Sequence, residues 1–519
     1  MGKTKNTARA ALIIIIFTLA SKVLGFFREI LIAAKFGSGA DTDTFFIALA
    51  AIGLFTSMIT QSINTTMIPV LSEVEVVEGK EGKKNHTSNL LNIICMLSFA
   101  ITILAWILAP LVVKSLAAGF EGEQFSFAVL LMRIGLPAII FAGVQGVFAG
   151  YLESELMFTE SSIAQFPYNF VYIFSLVFMS SIFGIKGLMV TSVLATLSQI
   201  IIQIPGMKKA GFRYRFMLDF KDKYAKKIIY LIPPVLISTT VNDINKMIDK
   251  SLASGLVEGS ISALNYASKL EGLSTGIFIT AITTVIYPML SQRANKDNLD
   301  GFKKSIIYGI NIILLITIPA MVGMIILANP IVRVAFQRGA FDSIATYMTV
   351  GALSYYAIGL VGTAAKFFLS RVFYSLQDTK TPMINSFIAL GINIVLNFAL
   401  INFMQHRGLA LATSISAIAT SLFLLYRLKG KIGSFGFMRA VACGLKSLAA
   451  ASIMGIVVYF LNKIIDFGAG TLPELIALLI SAGVGALVYF IFIYLFKVEE
   501  LSRFVEAAKA KLKGIGRQG

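Results

Sequence analysis

TTMIPVLSE at Thr65–Glu73 returns as TTVIYPMLSQ at Thr283–Gln292, about 218 residues further on. Two more pairs follow in the same order. LAPLVVKSLAAGF at Leu108–Phe120 matches LANPIVRVAFQRGAF at Leu327–Phe341, and IKGLMVTSVLAT at Ile185–Thr196 matches HRGLALATSISA at His406–Ala417. Apolar helices draw on a small alphabet, so one match is weak; three collinear matches at similar offsets mark a duplication. The repeat defines two halves, 1–217 and 218–432, with an added segment, 433–519.

The 519 residues are 57% apolar and only 14% charged, with a mean hydropathy of +0.81. Soluble domains run at about 45–50% apolar and about 25% charged, so the excess belongs to a membrane protein. At about 20 apolar residues per span, the polar breaks cut the chain into fourteen segments. These are 9–36, 43–72, 88–118, 125–152, 159–184, 186–205, 227–254, 261–291, 302–336, 343–370, 382–404, 408–428, 437–464 and 472–497. The first is no cleavable signal, because Lys22, Arg28 and Glu29 interrupt its apolar run. The expectation is an all-α polytopic membrane protein of about 14 transmembrane helices, with two six-helix repeats and two extra C-terminal helices. Six is even, so the halves enter the membrane in the same direction, a plan used by transporters with the substrate path between repeats.

The net charge of +18 would suggest nucleic acid in a soluble protein, but position decides its meaning here. With the amino terminus cytoplasmic, 30 of the 45 Lys and Arg fall on inner segments and 7 on outer ones. The positive-inside rule therefore places both termini in the cytoplasm and excludes nucleic acid as the partner. The tail after Lys497 has apolar residues at helical spacing and a basic face, suited to the inner leaflet or to solvent. GKEGKK at Gly79–Lys84 is a charged cytoplasmic loop and no phosphate-binding motif. Cys95, Cys443, His86 and His406 provide neither a disulfide framework nor a metal cluster. No enzyme is expected.

Eight basic residues remain within spans: Lys22, Arg28, Arg133, Lys246, Lys250, Lys269, Lys366 and Lys446. A charge at mid-bilayer costs roughly 2.5–3.5 kcal/mol, so such residues face a cavity, a partner or the interface. Lys446 sits near an inner helix end and is read as snorkelling. In SKVLGFFREILIAAKFG, Ser21, Gly25 and Arg28 share a stripe, with Glu29 and Asp43 as acidic partners for the guanidinium. NDINKMIDKSLAS carries Asp243, Lys246, Asp249 and Lys250, either a self-neutralising stripe or a cation site at Asp249. Lys22, Arg28, Lys269 and Lys250 outnumber free carboxylates and imply an anionic substrate, with Arg suited to phosphate.

SKVLGFFREILIAAKFGSGADTDTFFIA resembles the start of the MurJ (MviN) lipid II flippases of the multidrug/oligosaccharidyl-lipid/polysaccharide exporter superfamily. The likeness continues through TTMIPVLSE, GSISALNYASKL, FQRGAFD, YSLQDTKTPMINS and GLALATSIS, across essentially the whole chain. The resemblance implies a V-shaped pair of bundles around a cationic cavity. It implies movement of undecaprenyl-pyrophosphate-linked muropeptide, lipid II, from inner to outer leaflet by alternating access, for peptidoglycan synthesis in the bacterial cytoplasmic membrane. Lys22, Arg28 and Lys269 stand where family arginines contact pyrophosphate, with Glu29 and Asp43 as their acidic supports. Two arginines are thus lysines here, and a second-helix arginine has no counterpart. The last two helices are implied to form a lipid-tail groove, in keeping with the nearly uncharged run Thr471–Phe496. A sodium site of some members maps onto Asp249, Asn393, Asn397 and Thr413, where one family acid has become Asn397. The implied partners are lipid II and the bilayer, with a monomeric transporter. The alternatives are a polysaccharide-unit or sporulation-type flippase, or a cation-coupled multidrug antiporter whose path would carry carboxylates.

Overall fold

The computed structural model describes residues 2–276, 299–464 and 470–498. Inside lipid every backbone N–H and C=O must be satisfied within the protein, which helices do within one segment, and among the described residues every regular element is an α-helix. In chain order these are α1 (Gly2–Phe36), α2 (Ala40–Ile107), α3 (Ala109–Leu116), α4 (Gly122–Gly135), α5 (Ala138–Ser154), α6 (Phe158–Ser162), α7 (Gln165–Phe178), α8 (Ser180–Lys209) and α9 (Lys223–Ala253). Then come α10 (helical residues 260–276), α11 (Leu299–Ile326), α12 (Ala328–Phe336), α13 (Ser343–Ile358), α14 (Leu360–Ser375), α15 (Lys380–Met404), α16 (His406–Ile432), α17 (Phe437–Ile464) and α18 (Thr471–Leu495).

Eight described helical stretches are long and apolar enough to cross a membrane, or nine if α13 and α14, bent by 44° at their junction, form one span. The 68 residues of α2 are too long for a single crossing of a roughly 30 Å core. The helix breaks at Gly79, whose φ of 71° lies in the left-handed region that glycine tolerates. α8 breaks likewise at Gly184 (φ 56°), and Gln405 (φ 51°) separates α15 from α16. Part of the expected segment 261–291, the repeat copy at Thr283–Gln292 and the basic tail from 499 onward lie outside the described residues.

The stretch Gly79–Lys84 is not the open loop expected of a charge run. It is helical apart from Gly79, and Lys83 is completely buried. Its three ammonium donors go to Glu75 (2.8 Å), Glu155 (2.5 Å) and the Ser154 carbonyl (3.4 Å), with the Tyr151 ring 5.6 Å away. Two carboxylates and full hydrogen bonding let an ammonium leave water.

Packing divides the chain into two units, residues 1–262 with 338–342, and 263–337 with 343–519. α9, which lies in the second half expected from the sequence, packs on α2 within the first unit. That unit is centred on Ile63, Met67, Val70, Leu71 and Val74 of α2, at helical spacing, against Val147, Tyr151 and Leu152 of α5 and Ile228 of α9. Lipid gives helices little hydrophobic reason to pair, so close approach at small residues does the work. A Cβ at Gly143 would lie 2.5 Å from Ser98 Oγ, and one at Gly150 2.9 Å from Met67 Sδ.

The second unit has one core where Phe302, Ile306, Ile310 and Ile313 of α11 meet Phe368 and Val372 of α14 and Leu424 and Leu428 of α16. A second core joins α17 and α18 through Met454, Val458, Tyr489 and Ile493. The Tyr489 hydroxyl donates to the Leu315 carbonyl at 2.8 Å and lies 2.8 Å from Ser447 Oγ, so its polar end is satisfied.

Candidate functional site

The stripe Ser21–Gly25–Arg28 faces α7. Asn169 sits beneath it: a Cβ at Gly25 would lie 3.6 Å from its Oδ1, and its Nδ2 reaches the Ser21 carbonyl at 3.5 Å. Arg28 donates from Nη1 to Asn169 Oδ1 (3.3 Å) and from Nη2 to Glu29 Oε1 (2.7 Å). Its guanidinium also lies 5.5 Å and 5.0 Å from the ring centres of Tyr168 and Tyr172. The side chain is 16% exposed and that of Glu29 6%. Two flat rings, an amide and a carboxylate thus fix the fork in one orientation. Its buried Nε finds no acceptor among the described residues.

Sequence reading anticipated Arg28 with Glu29 but missed Asn169, Tyr168 and Tyr172. Their only signal is the i, i+3 and i, i+4 spacing of polar-tipped residues along one face of α7. Lys22 is exposed in the first unit, and Lys269 is exposed on α10 in the second. Of the other span cations, Lys446 is exposed, Lys366 half-buried, and Arg133 lies over Trp106 at 4.4 Å.

Asp43 is held elsewhere than at Arg28. Its carboxylate accepts from the backbone N–H of Gly259 (2.8 Å) and Ser262 (2.7 Å) and from the Ser262 hydroxyl (2.5 Å), and it is 4% exposed. It therefore caps the amino end of α10, where free N–H groups and the helix dipole favour negative charge. Glu258 returns the contact by accepting from Ala40 N at 2.6 Å. Ala340 N donates to the Ala34 carbonyl at 2.8 Å, which brings the FQRGAFD turn onto the end of α1. Gly339 has φ 59°, and a Cβ there would stand 2.2 Å from the Ala34 oxygen. Three stretches that carried the family resemblance, GSGADTD, GSIS and FQRGAFD, form one knot.

On α9, Asp243 and Lys246 stand 3.9 Å apart, with Ser57 Oγ 3.4 Å from Asp243, and Lys250 donates to the Phe46 carbonyl at 3.2 Å. This is the self-neutralising stripe in part. Asp249 is buried in the first unit.

Asn393, Asn397 and Thr413 come together in the second unit. Asn397 Nδ2 donates to Asn393 Oδ1 (2.9 Å), Asn393 Nδ2 to Thr413 Oγ1 (3.2 Å), and Thr413 Oγ1 to the Leu409 carbonyl (3.1 Å). These three side chains are neutral, and the carboxylate of the mapped set, Asp249, belongs to the first unit.

The model of the family described as "Lipid II flippase MurJ" matches residues 32–478. A probable lipid II flippase MurJ of Vibrio cholerae is 31% identical over 440 residues, covering 82% of this chain and 83% of its own. The lipid II flippase MurJ of Burkholderia cenocepacia is 28% identical over 446 residues, covering 82% and 84%. A solved lipid II flippase MurJ in an inward closed conformation superposes with a TM-score of 0.79 at 27% identity, over 93% of this chain and 98% of that one. An inward-facing multidrug resistance MATE family transporter of the MOP superfamily reaches 0.64 at 14% identity and shares the fold alone. A membrane helix bundle with an arginine fixed inside its first helix is thus matched along most of its length by the lipid II flippase model: the chain belongs to the lipid II flippase MurJ family.

Proposed function

We propose that this protein moves lipid II from the inner to the outer leaflet of the bacterial cytoplasmic membrane by alternating access, as a monomeric transporter without catalytic chemistry. The observation that carries the reading is Arg28, a guanidinium fixed inside a membrane helix in a chain of this family. An arginine offers five N–H donors in a planar fork, and Glu29 and Asn169 engage one nitrogen each. The remaining donors suit the oxygens of a pyrophosphate. Because the Arg28–Glu29 pair is neutral overall, it supplies geometry more than charge. Lys22 supplies charge beside it, and Lys269 is assigned the same role on the family resemblance alone.

The lipid tail is assigned to an apolar cavity of about 790 Å³ between α11, α17 and α18, lined by Leu315, Pro319, Met454, Leu478 and Tyr489 among others. With both termini in the cytoplasm, the charge difference across the membrane favours outward movement of an anion and serves as the drive. In cells depleted of their own lipid II flippase, the wild-type chain is expected to sustain growth and Arg28→Ala to fail at equal membrane levels. Lys446→Ala, at an exposed position of α17, is expected to sustain growth. Growth at the wild-type rate with Arg28→Ala would overturn the reading.

A further inference from the structure

Between α8 and α9 the chain runs AGFRYRFMLDFKD, residues 210–222, and residues 212–219 have no helix or turn. Both ends are anchored. Gly211 (φ 75°) closes α8, with Phe212 N donating to the Met207 carbonyl at 3.0 Å, the Schellman pattern. The Phe212 ring then packs 5.2 Å from that of Tyr151. At the far end Asp222 caps α9 by accepting from Tyr224 N at 2.8 Å.

The backbone between is pinned to one face of α2. Arg215 N donates to Ser88 Oγ (3.3 Å), Asn92 Nδ2 to the Met217 carbonyl (2.7 Å), and Asn89 both accepts from Asp219 N (2.7 Å) and donates to its carbonyl (2.9 Å). In extended chain, alternate residues share a face. Phe216, Leu218 and Phe220 alternate in this way and are 78%, 44% and 51% exposed, whereas Tyr214 donates its hydroxyl to Asn92 Oδ1 of α2 at 2.9 Å. Three large exposed apolar side chains on a strap held by hydrogen bonds at both ends and along its length mark an interaction surface.

Charge and height select the occupant. Eight basic residues and two acidic ones lie between 208 and 227. Both acids are committed: Asp219 accepts from Lys221 N, and Asp222 from His86, Asn89 and Tyr224 N. Arg213, Arg215 and Lys221 are exposed. The strap is fastened at Ser88–Asn92, and the outward apolar side chains of α2 resume at Met96, Leu97 and Phe99. Four residues of helix rise about 6 Å, which places the strap at headgroup level beside the lipid-facing belt.

We propose that residues 212–221 are an interfacial strap that seats Phe216, Leu218 and Phe220 in the bilayer surface and binds anionic phospholipid headgroups through Arg213, Arg215 and Lys221. Exposed aromatics with interleaved cations suit that surface and no other part of the lipid. The inference does not depend on what the protein transports.

Trp106 is the only tryptophan, so full-length protein carrying Trp106→Phe and Phe216→Trp reports on the strap alone. It would be reconstituted in vesicles of phosphatidylcholine, with or without phosphatidylglycerol. The expected result is blue-shifted emission quenched by lipids brominated near the headgroup, with stronger quenching when phosphatidylglycerol is present. Adding Arg213→Glu and Arg215→Glu, at an unchanged thermal midpoint, is expected to return quenching to its phosphatidylcholine level. Water-like, unquenched emission in both vesicles would overturn the proposal in favour of a soluble partner. Quenching indifferent to phosphatidylglycerol and to charge reversal would overturn its anionic part.

Discussion

Asp43 and Ser262, 219 residues apart, meet through backbone and side chain at once: one carboxylate oxygen accepts from Ser262 N at 2.7 Å and from its hydroxyl at 2.5 Å. The contact fastens the start of α2 to the start of α10. Removing a helix cap costs about 0.5–2 kcal/mol, and here the buried N–H groups of Gly259 and Ser262 would also lose their acceptor. Asp43→Ala is therefore expected to lower the thermal midpoint of the detergent-purified protein clearly, with Asp43→Asn intermediate because it keeps one acceptor. An Asp43→Ala protein as stable as wild type would remove the cap from the account.

Two glycine substitutions separate backbone demand from mere presence of glycine. At Gly339 a methyl group meets the Ala34 oxygen at 2.2 Å with φ at 59°, so Gly339→Ala is expected to cost several kcal/mol and to lower the yield of monodisperse protein. At Gly53, within α2, nothing lies within 4 Å of a built Cβ. Gly53→Ala is expected to be neutral or to stabilise by up to about 1 kcal/mol, since alanine is the better helix former. Size-exclusion profiles and thermal midpoints of the two variants measure the contrast.

The helix breaks were legible because they coincide with residues that local physics marks. Gly79 stands in a charge run, Gly184 opens the IKG boundary, and Gln405 precedes a histidine and arginine. The stripe Ser21–Gly25–Arg28 was legible from helical spacing, and its facing residue, Asn169, was not, since no period links positions 141 apart. Lys83 was misread for the same reason. A lysine beside Gly82 and Lys84 looks solvated until Glu155, 72 residues on, is brought to it. The knot of Asp43, Gly259 and Gly339 depends wholly on such long-range meetings, and only the family resemblance signalled that those stretches mattered.

The cluster around His86 lies between the apolar arms of α2 and gives stability a pH dependence. His86 Nδ1 is 2.7 Å from Asp222 and Nε2 2.7 Å from Glu78, with Lys223 beside Glu78 and the Tyr224 ring 4.8 Å away. Burial opposes a charged imidazole, but hydrogen bonds to the two carboxylates outweigh it and raise the His86 pKa above 6.5. Burial likewise pushes Asp222 up, and hydrogen bonds from His86, Asn89 and Tyr224 N bring it below its usual value. A raised histidine stabilises fully below its unfolded pKa and loses that contribution as pH rises through its folded one; the depressed Asp222 stabilises at neutral pH and loses its contribution only as pH falls through its folded pKa. Between pH 6 and 9 the thermal midpoint is expected to fall, and His86→Gln to flatten that fall. An equal slope in both proteins would count against the cluster.

Coupling to sodium turns on Asn397. A cation in a protein needs several oxygens and a nearby negative charge, because the ion must recover its lost hydration. Asn393, Asn397 and Thr413 are neutral, with an amide hydrogen of Asn397 on the Asn393 oxygen and one of Asn393 on the Thr413 hydroxyl. Transport of lipid II by reconstituted protein is accordingly expected to run at the same rate in sodium and in potassium, and to respond to an imposed membrane potential. Asn397→Asp puts a carboxylate among those oxygens and is expected to introduce a sodium requirement. A tenfold loss of rate for the wild-type chain in potassium, about 1.4 kcal/mol of barrier, would show that these neutral side chains rearrange to hold the ion.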